Sequence, residues 1–306
     1  MDIGVVIVTF NRIEKLKHTL ELFEKQSKKP SYLLIVDNAS TDGTQDYLKL
    51  WNLEQSSYKR MVVYNKENLG GSGGFNVALN EAMKLSADWI WVSDDDAFPA
   101  ENALEEAYKY IITNDKKSIS AICGTVINNG CIDYSHRTTF ITKGHKIIRK
   151  KSEQKDYEKR EFEINAFSYV GVVINKESLL KVGSTISDYF IWFDDTEHSL
   201  RLSKVGKIFV VPAIKVYHNV DNNVNGLSWK TYYGTRNELD MYRRHFTKSQ
   251  FRHFYFSKLF IVKCKYVLKR ILGKNFLYQK IQLAGIRAAK MKELGIDSVY
   301  RPGWKY

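Results

Sequence analysis

The sequence predicts an α/β fold: a mostly parallel sheet flanked by helices, with a helical extension at its C-terminal end. Three observations carry this expectation. Apolar, β-branched runs suited to strands buried on both faces alternate with helix-spaced segments through residue 127. Clusters of turn-forming residues separate them. From residue 228 onward the pattern is helical alone.

Residues 3–9 (IGVVIVT) form the first predicted strand, and 13–25 place Leu16, Leu20 and Phe23 at helical spacing. Residues 32–36 (YLLIV) read as a second buried strand ending in Asp37. NASTDG (38–43) is the turn before a helix over 44–50, with Ser40 or Thr41 as its cap. A third strand over 61–64 leads to a glycine-rich turn, 68–74, and then a helix over 75–85. The fourth strand, 88–92 (DWIWV), runs into Ser93-Asp94-Asp95-Asp96. Such alternation specifies a parallel sheet with right-handed crossovers. After a helix over 103–112 and a strand over 119–127, the polar stretch 130–163 predicts a hairpin and a mobile loop, a lid or acceptor-side flap. A strand over 167–175, a short helix over 178–182, a helix after IWFDD (191–195), and strands over 207–212 and 214–217 complete the sheet. The expected division is a sheet domain over 1–225 and a basic helical region over 226–306.

The formal net charge of +13 is unevenly placed. Residues 241–306 hold 16 Lys and Arg against 2 Asp and Glu, so the rest of the chain is close to neutral. That asymmetry predicts a separate surface for something anionic, nucleic acid or lipid. The three cysteines include no CxxC pair, which points to free thiols in a reducing compartment. The N-terminal apolar run lacks a basic flank and reads as a buried strand rather than a signal peptide. No window approaches the roughly 18 uninterrupted apolar residues of a membrane span, so any membrane contact is expected to be peripheral.

Four motifs carry chemistry. Asp94-Asp95-Asp96 follows a hydrophobic strand, where ligands of open parallel sheets sit. Adjacent carboxylates suit a divalent cation with hard oxygen ligands, magnesium or manganese, and alternation in an extended segment would aim Asp94 and Asp96 the same way. A solvated acidic turn has the same appearance. Asn68-Leu69-Gly70-Gly71-Ser72-Gly73-Gly74-Phe75 opens a helix and would let a diphosphate approach its N-terminus, or serve only as a surface loop. Trp192-Phe193-Asp194-Asp195-Thr196-Glu197-His198, with Arg201 beyond, pairs an aromatic with carboxylates, as sugar binding requires; a capped amphipathic helix gives the same pattern. His218 ends a strand and is either a third metal ligand or structural.

Taken in order, TFNR, VDNASTDGT, NLGGSGGF, SDDDAFP and FDDTEHSLR make residues 1–237 resemble a family 2 glycosyltransferase with the GT-A fold, which is Rossmann-like. Tyr232-Tyr233-x-x-Arg236-Asn237 and the later histidine make it similar to the bacterial galactofuranosyl- and rhamnosyltransferase branch. The triple aspartate, where rhamnosyltransferases more often carry Asp-Gln-Asp, favours galactofuranosyl transfer from UDP-galactofuranose.

The resemblance implies a metal-assisted, inverting transfer. Asp37 would recognise the uracil, and Thr9 and Arg12 would line the nucleotide pocket. Gly70, Gly71, Gly73 and Gly74 would lie along the donor. Asp94 and Asp96 would engage Mn2+ or Mg2+ and the donor, with Asp95 between them and His218 completing the metal shell. Asp195 would be the catalytic base, with Asp194 its rival. Trp192, with Glu197 and His198, is expected on the acceptor, and Arg236 on a phosphate. The implied acceptor is a glycan, carried on a polyprenyl diphosphate, at the inner face of a bacterial plasma membrane.

Residues 251–272 (FRHFYFSKLFIVKCKYVLKRIL) interleave aliphatic, aromatic and basic side chains at helical spacing. They predict a helix lying in an anionic headgroup layer, or one packed on the sheet domain with a basic outer face. Nucleic-acid binding, the alternative that a pI near 9.4 suggests, fits less well, because the basic excess is confined to this aliphatic-rich tail. Homo-oligomerisation is left open.

Overall fold

The computed structural model describes residues 1–114, 118–218 and 228–304, so the expected division at 225/226 lies outside the described residues. In chain order the elements are β1 (Ile3–Thr9), α1 (Ile13–Glu24), β2 (Tyr32–Asp37), α2 (Thr44–Trp51), β3 (Lys59–Tyr64), α3 (Gly70–Met83), β4 (Trp89–Asp94), β5 (Phe98–Pro99), α4 (Ala103–Thr113) and β6 (Ile119–Asn128). There follow β7 (Cys131–Ile132), β8 (Arg137–Lys143), β9 (Lys146–Lys151), β10 (Phe162–Ile164), β11 (Ala166–Phe167), β12 (Val172–Asn175), α5 (Lys176–Val182), α6 (Asp194–Leu202), β13 (Lys207–Tyr217), α7 (Lys230–His245), α8 (Lys248–Ile271) and α9 (Leu277–Met291).

The main sheet runs β10-β13-β6-β12-β4-β1-β2-β3. β3, β2, β1 and β4 are parallel neighbours, whereas β12 enters antiparallel between β4 and β6. Strand alternation sends Val5 and Ile7 into one core layer with Leu16, Phe23 and Trp91, and Val6 and Val8 into the other with Phe75 and Leu79. Burying each such side chain contributes roughly 1.5–3 kcal/mol. Both faces of β1 are covered, which is why its sequence is an unbroken apolar run rather than an alternating one.

Two local expectations change. The glycine-rich stretch is not a turn; it is the first turn of α3, which starts at Gly70. A Cβ at Gly74 would sit 2.5 Å from Val8 Cγ1, so the glycines let this helix press onto β1. Within the stretch expected to hold a hairpin and a mobile loop, β8 and β9 form a hairpin, which joins β11 in a second, three-stranded sheet. The strand expected over 167–175 is broken into β11 and β12 by a turn at Gly171, whose φ of +63° suits glycine.

The C-terminal helices share cores with the sheet domain. Met241 and Tyr242 of α7 pack with Phe140 and Leu200, and Tyr232 and Tyr233 pack with Phe190 and Ile281.

Candidate active site

A cavity of about 720 Å3 opens at the carboxyl ends of β1 and β4. Its floor is Thr9, Arg12 and the Asp94–Asp96 run. One wall is the start of α3, with Gly70, Gly71 and Phe75, and the segment Phe190–Thr196. His136, Arg149 and His218 also line the cavity, as do Trp229 and Lys230 beside the start of α7.

β4 ends at Asp94, and Asp95 and Asp96 lie in the turn beyond, so strand alternation does not govern them. Arg12 is the shared partner: its Nη1 lies 3.1 Å from Asp95 Oδ1 and 2.9 Å from Asp96 Oδ2. Thr9 Oγ1 donates to Asp95 at 2.7 Å. Lys15 Nζ reaches Asp96 Oδ2 at 3.0 Å, and His218 Nε2 stands 3.2 Å from Asp96 Oδ1. Burial pushes Asp95 up to about 6 even against the Arg12 charge. Burial would raise Asp96 too, but the His218 hydrogen bond and the Arg12 charge hold it below the usual carboxylate range. At Asp94 burial together with the Asp96 and Asp95 charges outweighs the opposing Arg12 charge and holds it well above that range.

The donors suit a hard divalent cation in kind: carboxylate oxygens beside an imidazole whose Nδ1 is buried with no partner among the described residues. Their arrangement brings Asp96 and His218 together without Asp94 as a third member. Among the described residues no three His, Cys, Asp or Glu side chains are grouped to hold a metal, and Arg12 and Lys15 balance the acidic charge instead.

Asp194 and Asp195 open α6 on the cavity. Asp195 is the more accessible of the two. Its Oδ1 accepts from the Thr196 N–H at 2.5 Å and Oγ1 at 3.1 Å, and its Oδ2 has no partner among the described residues. Burial raises it, and those Thr196 bonds with the nearby Arg149 and His136 oppose the rise. Burial pushes Asp194 up to about 8, and the Asp195 charge adds to this.

Several expected site residues do not line the cavity. Asp37 is fully buried beneath the loop after β2, where it accepts from Ser40 N–H and from Gln45 Nε2 at 2.8 Å. Gly73 and Gly74 serve packing, a Cβ at Gly73 meeting Leu69 Cβ at 2.5 Å. Glu197 turns inward to Arg201 and His245, whose Nε2 is 3.0 Å away. His198 is buried, with Nδ1 at 2.5 Å from the Tyr169 hydroxyl and Nε2 at 2.9 Å from the Gly183 carbonyl; burial, with Arg201 nearby, lowers it to about 3. Arg236 is spent on backbone carbonyls rather than a phosphate. The apolar-and-charge pattern of an inward-facing helix start looks alike whether a carboxylate meets ligand or protein.

Lys15, His136, Arg149 and Lys230 were not anticipated. Lys230, at the start of α7, makes no ion pair among the described residues, and burial with Arg12 nearby lowers its ammonium. Arg149 lies in β9, whose KIIRKK sequence has no clean period-two alternation, so nothing in the local spacing singles it out.

The solved structure of GalNAc-T7 with UDP, GalNAc and Mn2+ aligns with a TM-score of 0.64 at 17% identity, covering 94% of this chain and 57% of that one. The architecture is therefore that of the GT-A glycosyltransferases. Residues 4–179, more than half of the chain, match glycosyl transferase family 2, and the chain belongs to that family. It is 36% identical over 99 residues to galactofuranosyltransferase GlfT1 of Mycolicibacterium smegmatis, covering 32% of this chain and 31% of that one. It is 28% identical over 210 residues to GlfT1 of Mycobacterium tuberculosis, covering 68% and 66%. The match thus spans less than two thirds of either relative's length.

Proposed function

We propose that the protein transfers a sugar, galactofuranose from UDP-galactofuranose in the first instance, to a hydroxyl of a glycan acceptor by one inverting displacement. The observation that carries this reading is the convergence on one cavity of the Asp94–Asp96 run with its cations and of the Asp194–Asp195 pair, more than ninety residues away in sequence. The likeness to GlfT1 supports the choice of sugar.

Asp195, with one oxygen held by Thr196 and the other free, takes the proton of the acceptor hydroxyl as its oxygen attacks the anomeric carbon. Trp192, 44% exposed on the cavity rim, offers a ring face to the acceptor sugar. Arg12 and Lys230 supply positive charge for the donor diphosphate. Mn2+ or Mg2+ would be held by Asp96 and His218. When bound, it neutralises charge on the departing diphosphate.

The exposed side of α8 suits a peripheral position on an anionic bilayer, where a polyprenyl-diphosphate-linked acceptor would be presented. Phe256, Phe260, Val267 and Ile271 make an exposed apolar stripe, with Arg252, Lys263 and Arg270 along one edge of it. No described helix is long and apolar enough to cross a membrane.

A panel of nucleotide sugars, assayed with Mn2+ for nucleotide release, tests the reading. UDP-galactofuranose turning over in preference to UDP-galactopyranose and dTDP-rhamnose supports it. Turnover of dTDP-rhamnose alone would replace the sugar, and no turnover of any donor with lipid-linked acceptors would defeat the proposal.

A further inference from the structure

The segment that carries Trp192 into the cavity and leads to Asp194 has an unfavourable backbone. Phe190, Trp192 and Phe193 all lie in the left-handed region, at φ of 64°, 66° and 69°. Residues with side chains avoid that region, so neighbouring structure must impose it. The imposing group lies on α7. Asn237 Nδ2 is 2.9 Å from each of the Tyr189, Ile191 and Trp192 carbonyl oxygens. Arg236 Nε donates to Asn237 Oδ1 at 2.9 Å, which fixes the amide so that its N–H groups must face the segment. The same guanidinium donates through Nη2 to the Asp188 and Tyr189 carbonyls, at 3.0 and 3.2 Å, and through Nη1 to the Gly295 carbonyl at 2.6 Å. One turn earlier, Gly234 leaves room for the Trp192 ring; a Cβ there would stand 2.6 Å from its Cε3. Both Arg236 and Asn237 are buried, and neither lines the cavity.

We propose that Asn237, oriented by Arg236, is a positioning residue of the transfer reaction: it clamps the 189–192 backbone so that Trp192 and the Asp194–Asp195 start of α6 face the acceptor. The inference rests on the functional reading above for its effect on turnover, but the clamp itself is testable without it. A side-chain amide holding three carbonyls does more than fill a core, because it sets the direction in which the following residues leave. The C-terminal helices thereby complete the acceptor side of the site, while the donor side is built by β1, β4 and α3.

Asn237→Asp keeps the shape and replaces two N–H donors by an oxygen facing three carbonyls. The expected result is donor affinity within about twofold of the native value, measured by UDP titration calorimetry, with a raised acceptor KM and kcat reduced by about a hundredfold. Hydrogen exchange should speed up at residues 188–196 and stay unchanged in β1 and β4. Arg236→Lys, which loses the Nε bond that orients the amide, should move the same readouts in the same direction by less, and it serves if Asn237→Asp does not fold. Native exchange at 188–196 together with native acceptor KM and kcat in these variants would overturn the proposal. So would a parallel loss of donor affinity and global stability, which marks a merely structural role. If the native chain transfers no sugar at all, the functional reading fails, and exchange at 188–196 still decides the clamp.

Discussion

Asp195 and Asp194 are adjacent in sequence, line the same cavity, and are unlike in surroundings. Asp195 has one oxygen fixed by Thr196 and the other free, the arrangement a general base needs. Asp195→Asn is expected to lower kcat by about a hundred- to ten-thousandfold while leaving nucleotide affinity intact, checked by steady-state kinetics beside calorimetry. Asp194 is the costlier neighbour for stability. Unfolded, its carboxyl ionises near 3.8; folded, it keeps its proton up to about 8. Its favourable contribution is therefore complete below the unfolded value and is lost as pH rises through that window, at up to about 1.4 kcal/mol per pH unit. Asp194→Asn should raise the urea midpoint at pH 7 relative to the native chain, and the gain should shrink as the pH is lowered to 5. A gain that grows on acidification would contradict this account.

At the scale of elements, α3 shows how a composition can be read correctly and a conformation missed. Four glycines suggest a flexible phosphate loop, yet they begin a helix, because three of them stand where a Cβ has no room. Gly70 combines a φ of +71° with a Cβ position 2.1 Å from the Phe190 carbonyl oxygen. Gly74 is closed off by Val8, whereas Gly71 faces open space. Gly70→Ala and Gly74→Ala should each destabilise the fold by about 1–3 kcal/mol in denaturant titrations, and Gly71→Ala by well under 1 kcal/mol. The long helix α8 displays the converse: its helical period is legible in sequence, but which side stays uncovered is set by α7 and α9. Phe256→Glu combined with Phe260→Glu should abolish flotation with anionic liposomes without moving the melting temperature. Retained flotation would leave the exposed stripe without a lipid role.

Across the whole molecule, the C-terminal helices and the sheet domain fold as one body, since α7 supplies both the clamp on 189–192 and part of two shared apolar clusters. A chain ending before Lys230 should therefore fail to give a cooperative melt or a monodisperse elution profile, exposing Tyr189, Phe190 and Leu200. Periodicity and residue type, which are local properties, made legible the β–α alternation through β6, the helical C-terminal region, and the acidic runs at the end of β4 and the start of α6. Long-range packing brings Asp96 to His218 across 122 residues, turns Glu197, His198 and Arg236 away from the cavity, and turns Arg149 and Lys230 toward it. Those outcomes depend on which distant donor or acceptor reaches each polar side chain once the layers pack. Competition of that kind leaves no trace in the spacing of residues along the chain.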